Sequence, residues 1–466
     1  MKHIHFIGIC GVGMGALAVL WKKKGWKVTG SDVGFFPPIS THLKDHDIEY
    51  YPGWHPDKMG RPDLVVVGNV AGSENPEWLF VQEQKIPYVS YPELIAQNLI
   101  KKNSIVCAGT YGKTSTTALL AWILKNADYN PTYMFGGLSL NLDLSADDPD
   151  NSNWSIMEGD EYKTSRWDSQ AKFFSYQPTH LLLTAVNWDH ADIYKTEADY
   201  LNAFRELIKM IPLGGLIVAC ADNANATEIL RPAQNDIKVI TYGHTSLADY
   251  RYSDISQTKA GLKFKITHQE KTYPIQTPVI GEYMAENICG VFALAIEIGI
   301  APESIIKSLS EFKGLKRRLE KRGKINGADV YDDIAHSPLK ARYVLENLRR
   351  LYDGKIYTVF EPNTGNRQRE SVPAYNQAFT AADEVIIPRL TKVKTKAGEP
   401  EPFEGEQLAE IISKTQPNVK YIGADENLVK YLKQKTRATD AVVFCGSHGW
   451  RGMIDNLISP RPQSHN

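Results

Sequence analysis

The stretch Ser104 to Thr117, SIVCAGTYGKTSTT, constrains this chain more than any other. It reads as a short buried strand, a glycine turn and the start of a helix. Such a turn gathers backbone N–H groups at a helix N-terminus, where the aligned peptide dipoles attract phosphate. Lys113 then reaches terminal phosphates, and Thr114 offers its hydroxyl to Mg²⁺. Cys107 stands where the long Walker pattern wants glycine, so the loop is the shorter G-T-x-G-K-T. An ordinary strand-to-helix connection is the competing reading. Leu119, Leu120, Ile123 and Leu124, on a 3–4 spacing, favour the phosphate loop because they carry a helix straight out of the turn.

A chain of 466 residues is too long for one core and implies about two to four domains. Its net charge of −1 argues against a general nucleic-acid or acidic-membrane surface, so a polyanionic ligand must be met by local Lys, Arg or metal. No stretch has the length of a membrane span, and MKHIHFIGICG enters a strand directly, which makes a cytoplasmic enzyme the expectation. Cys10, Cys107, Cys220, Cys289 and Cys445 lie far apart without a CxxC pair, as packed reduced side chains do.

The first hundred residues repeat the strand–turn–helix theme. A strand at Ile4 to Ile7 precedes GICGVGMG, a helix runs from Ala16 to Lys24, and a strand from Lys27 leads to Ser31 and Asp32. Gly11, Gly13 and Ala16 satisfy G-x-G-x-x-[GA], with an acidic residue where a ribose contact belongs. A nicotinamide dinucleotide fits this cradle and so does a nucleotide sugar, because both carry a pyrophosphate. Strands at Leu64 to Val67 and Tyr88 to Ser90 complete a βα-repeating domain that ends at a short polar joint, Lys101-Lys102-Asn103.

Downstream, a strand from Trp154 to Met157 runs into Glu158-Gly159-Asp160-Glu161. Three carboxylates at the end of a buried strand are costly to cluster without a cation. The strand THLLLTAV breaks at Asn187-Trp188-Asp189-His190, where a histidine beside Asp189 and Asp192 suits a metal or phosphate contact. Thr196 with Asp199 caps the next helix. Residues 240 to 280 look β-rich and carry no obvious chemistry; Asn287 lies in the helix beyond them. In the last third, Arg317-Arg318, Asp332-Asp333 after the strand ADVY, and His336-Ser337-Pro338 opening a helix begin another α/β domain.

Together these residues resemble the Mur ligase family, the ATP-dependent amide-bond-forming enzymes of bacterial cell-wall synthesis, over essentially the whole chain. The runs HFIGICGVGMGALA, FFPPIST (35–41), KFFSYQP (172–178), WDHADIY (188–194) and FEPNTGNRQR (360–369) are similar to the branch that uses UDP-N-acetylmuramate. Within it they look more like the members that add a whole peptide in peptidoglycan recycling than those that add L-alanine in de novo synthesis.

The resemblance implies an α/β fold of three domains: a Rossmann-like UDP-binding domain (1–102), a P-loop ATPase-like domain (103–313), and a Rossmann-like C-terminal domain (314–466) that closes over ATP and binds the incoming peptide. It also implies that Gly109, Thr110, Gly112, Lys113, Thr114 and Ser115 hold ATP phosphates, and that Thr114, Glu158 and His190 form the Mg²⁺ site. Asn287 and Asp333 would contact adenosine, Arg318 would face the γ-phosphate, and His336 would lie near the nucleotide. Gly11, Gly13, Ser31 and Asp32 would hold the UDP half of the substrate. The loop 363–369 is a candidate for the peptide.

Several positions depart from the family pattern. Tyr111 stands where close relatives have His, GEYMAEN keeps Gly281 and Asn287 but replaces two polar positions, and NAFRE lacks the lysine that many members carbamylate. A nicotinamide oxidoreductase leaves the Gly-Lys-Thr loop unexplained. A non-catalytic nucleotide sensor has only the altered GEYMAEN run in its favour.

Overall fold

The computed structural model describes residues 1–190, 193–230, 237–392 and 401–458, so Asp192 lies outside the described residues. They form two compact units, Met1–Gly314 and Leu315–Asn466. Two sheets make up the first unit and one the second, and all three are mainly parallel.

The first sheet is wholly parallel, in the order Glu49–Pro52, Lys27–Asp32, His3–Ile7, Leu64–Val67, Tyr88–Ser90. The chain winds outward both ways from its central first strand, so the turn at Gly8–Gly11 opens at the C-terminal edge, where the strand order reverses. Helix Val12–Lys23 is buried continuously from Met14 to Trp21. A helix apolar over its whole middle must be covered on more than one side. At its C-terminal end Lys23 pairs with Asp147 at 2.6 Å and Lys24 with Asp148, and Lys101 reaches Asp148 at 2.8 Å. The expected polar joint is therefore pinned to the second sheet, and Asn103 already opens the next strand.

The second sheet has ten strands. Asn103–Ala108 lies near its middle, flanked by His180–Leu183 and Trp154–Gly159, and all three run parallel. These strands read as unbroken apolar runs because helices or loops cover both faces. Their register sets Ala108 beside Leu183 and Gly159, which delivers the phosphate loop, the acidic run and the segment before His190 to one edge. The β-rich 240–280 region forms strands Tyr250–Thr258, Gly261–His268 and Lys271–Thr277, joined as antiparallel hairpins at one end of the sheet.

In the second unit the order is Glu320–Ile325, Ala328–Asp333, Ala441–Gly446, Ile356–Glu361, Glu384–Pro388, Val419–Ile422, with only the first pair antiparallel. Asp332 and Asp333 are the last residues of strand Ala328–Asp333 and do not follow it, as the sequence suggested. Ser337 caps helix Pro338–Arg349, as expected.

Candidate active site

Strand Asn103–Ala108 ends in a tight loop that hands the chain to helix Lys113–Asn126. Gly112 caps that helix in the left-handed region at φ +86°, where a side chain is strained. A Cβ there would also collide with the Asn287 amide oxygen. Thr110 is buried and fixed: its N–H donates to the Ala185 carbonyl at 2.7 Å, and its hydroxyl bonds the Asn187 carbonyl at 2.7 Å and the Tyr200 hydroxyl at 2.9 Å. Ser115, in the first helical turn, is partly exposed. The first N–H groups of this helix have no partner within it and face the loop.

The Lys113 ammonium donates to the Gly109 carbonyl at 2.7 Å and pairs with Glu161 Oε2 at 2.8 Å. Burial alone would lower its pKa, but Glu161, Asp160 and Glu158 outweigh that and raise it, so Lys113 stays charged. The Thr114 hydroxyl donates to Glu158 Oε1 at 2.7 Å, and the Gly136 N–H donates to Glu158 Oε2 at 2.6 Å. Asp160 pairs with Lys172, and these cations hold its carboxyl below the usual range despite burial.

The structure puts Glu161, not Glu158, against His190: Nε2 stands 3.4 Å from Glu161 Oε1, and that hydrogen bond raises the imidazole pKa against burial. Glu161 is 1% exposed and also accepts from the Tyr200 hydroxyl at 3.3 Å. The sequence reading counted Glu161 in the acidic run but gave it no role. Its signal was its place in EGDE, one residue beyond the carboxylate that finds Lys172.

Asn287 is buried, with its amide against Gly112 and its Nδ2 3.7 Å from Met284 Sδ. It therefore lies beside the phosphate loop. Asn287 lies in helix Tyr283–Glu297, whose Glu286 brings a ligand atom within 4.8 Å of one each from Cys220 and Asp222. Asp222 is already taking N–H donors from His244 and Thr245. The described cysteines are all free thiols, and only Cys10 is partly exposed.

At the first sheet, Asp32 Oδ2 accepts from the Cys10 N–H at 2.9 Å and Oδ1 from the Val33 N–H at 2.7 Å, so this carboxylate braces the glycine turn. The Ser31 hydroxyl is buried and donates to Glu77, which also accepts from the Tyr51 hydroxyl at 2.7 Å and the His55 N–H at 2.8 Å. The Ser31 side chain thus faces the domain interior, away from the ligand position expected for it. Gly11 is the N-cap of helix Val12–Lys23, and Gly13 lies under the ring of Tyr91.

In the second unit the two arginines part company. Arg317 is buried and bonds Asp332, the Ser447 carbonyl at 3.1 Å and the His448 carbonyl at 2.9 Å, whereas Arg318 is exposed. Asp333 spends both oxygens on backbone, accepting from Leu319 and Ala335 N–H at 2.8 Å each, and burial raises its pKa. Burial and Lys340 lower the His336 pKa to about 4, so the ring is neutral at pH 7. Within the candidate peptide loop, Arg367 is 2% exposed and tied to Phe403, Thr391 and Glu404; it cannot meet a peptide carboxylate as expected, while Arg369 remains exposed.

A glycine loop at a helix N-terminus with its lysine held over carboxylates, beside a hydroxyl–carboxylate pair suited to a hard cation, has the chemistry of a nucleotide-phosphate site. Residues 3–102 match the Mur ligase family catalytic domain, 107–295 the Mur ligase middle domain, and 317–448 the Mur ligase glutamate ligase domain. The UDP-N-acetylmuramate–L-alanyl-γ-D-glutamyl-meso-2,6-diaminoheptandioate ligase of Haemophilus influenzae is 31% identical, over 98% of this chain and 99% of its own. The UDP-N-acetylmuramate–L-alanine ligase of Alkaliphilus metalliredigens is 29% identical, over 96% and 95%. A solved murein peptide ligase from Psychrobacter arcticus superposes with a TM-score of 0.72 at 26% identity, covering 98% of each chain. The chain belongs to the Mur ligase family, whose members are ATP-dependent ligases that form amide bonds and generally require Mg²⁺. Among the described residues, no helix is long and apolar enough to cross a membrane.

Proposed function

We propose that this enzyme joins UDP-N-acetylmuramate to the tripeptide L-Ala-γ-D-Glu-meso-diaminopimelate, at the expense of ATP, in peptidoglycan recycling. The near full-length likeness to the Haemophilus influenzae ligase carries the choice of substrates. The Lys113–Glu161 and Thr114–Glu158 pairs support the chemistry.

A carboxylate is a poor acyl donor, so the lactyl carboxylate of the sugar attacks the γ-phosphate of ATP to give an acyl phosphate. The amine of the peptide then displaces phosphate through a tetrahedral intermediate. Bringing two anions together requires positive charge, which Lys113 and the helix N-terminus beyond Gly112 supply. Thr114, Glu158 and His190 are the proposed Mg²⁺ residues; the bound ion adds charge that stabilises the transferring phosphoryl group. Oxygen donors such as the first two suit a hard cation best. Glu161 keeps Lys113 charged and His190 oriented.

Gly11, Gly13 and Asp32 shape the proposed UDP cradle. Asn287 supports the ATP loop, and Arg318, Asp333 and His336 are proposed nucleotide residues of the second unit.

L-Alanine is the competing amine, favoured by the 29% likeness to an L-alanine ligase. Incubation of UDP-N-acetylmuramate, ATP and Mg²⁺ with either amine, followed by mass analysis, decides between them. The proposal expects the tripeptide adduct to dominate, and a product bearing only L-alanine would overturn it.

A further inference from the structure

Tyr91 is the first residue of helix Tyr91–Asn98, and its backbone is set firmly. The Ser90 hydroxyl accepts from the Glu93 N–H at 3.3 Å, the Glu93 carboxylate accepts from the Ser90 N–H at 2.6 Å, and Pro92 follows. Its ring lies across Gly13 in the first turn of helix Val12–Lys23. A Cβ on Gly13 would stand 2.7 Å from both the Tyr91 Cε2 and its hydroxyl oxygen, which leaves glycine as the residue that fits.

The same phenol feels the acidic run of the second sheet. Burial, then the charges of Glu158 and Asp160, hold its proton on well above the ordinary phenol value. It is thus a committed donor at every working pH. Yet its hydroxyl has no hydrogen-bond partner among the described residues, and the side chain is partly exposed. An aromatic residue needed only for packing would do as well without that oxygen. A solvent-accessible phenol O–H with no protein acceptor can exchange water for an arriving anionic oxygen without breaking any bond within the protein.

We propose that Tyr91 is a substrate-contacting residue whose hydroxyl donates to an anionic oxygen of the nucleotide-sugar acid, where that ligand passes from the Gly13 turn toward Glu158 and Asp160. This rests on the UDP-N-acetylmuramate reading above. Two groups of that ligand offer such an oxygen, the diphosphate and the lactyl carboxylate.

Calorimetric titration of the full-length enzyme and its Tyr91→Phe variant tests the contact, using UDP-N-acetylmuramate and UDP-N-acetylglucosamine, which has the diphosphate but no carboxylate. Loss of a hydrogen bond to a charged group lowers affinity by about ten- to a hundredfold. The KM for ATP and the melting temperature are expected to stay unchanged. A loss on both ligands assigns the diphosphate; a loss confined to UDP-N-acetylmuramate assigns the carboxylate. Equal binding by variant and wild type overturns the inference and leaves the parent reading standing. A wild-type enzyme that fails to bind UDP-N-acetylmuramate overturns both.

Discussion

Lys113, the proposed phosphate lysine, is held charged and already partnered. In this structure the Gly109 carbonyl and Glu161 occupy its ammonium, so an arriving phosphate exchanges one set of acceptors for another without desolvating a free cation. Replacing Lys113 with Ala is expected to reduce phosphate release by about a hundred- to a thousandfold, while calorimetry still records UDP-sugar binding. It also strands Glu161, which is 1% exposed, so thermal unfolding is expected to fall by roughly 3 kcal/mol of stability. Gly112→Ala forces a side chain into the left-handed region and against Asn287. About 1–2 kcal/mol of strain and a disrupted loop are expected, read as a lower melting temperature and a raised KM for ATP. Near-wild-type kinetics in either variant would contradict the loop assignment. At this scale local pattern pointed to Lys113 and Thr114 and to the run of Glu158, Asp160 and Glu161, while the choice of Glu158 within that run rested on the family resemblance. The sequence could not announce the Glu161–His190 pair or Asn287 against Gly112, because those contacts join residues far apart in the chain.

The elements of the first unit are held together by charge as well as by packing. Asp148 receives Lys24 and Lys101 and the Thr132 hydroxyl, and these partners lower its pKa against the opposing effect of burial. A carboxyl whose folded pKa lies below its unfolded one stabilises the protein fully above the ordinary value of 3.8 and loses that stabilisation as pH falls through the folded value. Asp148→Asn is therefore expected to cost on the order of 1 kcal/mol at pH 7. In denaturant titrations its difference from wild type should close as the pH drops below that ordinary value; a constant gap would refute the linkage.

A second tie runs from the acidic run. Trp167 stacks on Trp78 at 5.1 Å, Arg166 donates to the Ala71 carbonyl at 3.1 Å, and Asn69 donates to the Lys163 carbonyl at 2.9 Å. Trp167→Ala should speed amide exchange in residues 163–171, and unchanged exchange would show that the stack anchors nothing.

Most strands that run unbroken through the parallel sheets were legible, such as Leu64–Val67 and Leu216–Cys220, because burial on both faces demands continuous apolar residues. The short strands Thr132–Met134 and Val419–Ile422 were not, since each takes its pairing from a distant neighbour rather than from its own pattern.

Across the whole molecule, the family was legible because its motifs occur in order along the entire chain, and the matched ranges 3–102, 107–295 and 317–448 follow the same succession. The amine was less so. A peptide is recognised by surface loops, and within the candidate loop 363–369 Arg367 is a buried strut. The central claim concerns the other substrate: its carboxylate is activated by phosphoryl transfer before the amide bond forms. Turnover with UDP-N-acetylmuramate carrying ¹⁸O in the lactyl carboxylate tests this directly. The account predicts that one labelled oxygen per turnover appears in the released inorganic phosphate, and phosphate free of label would contradict it.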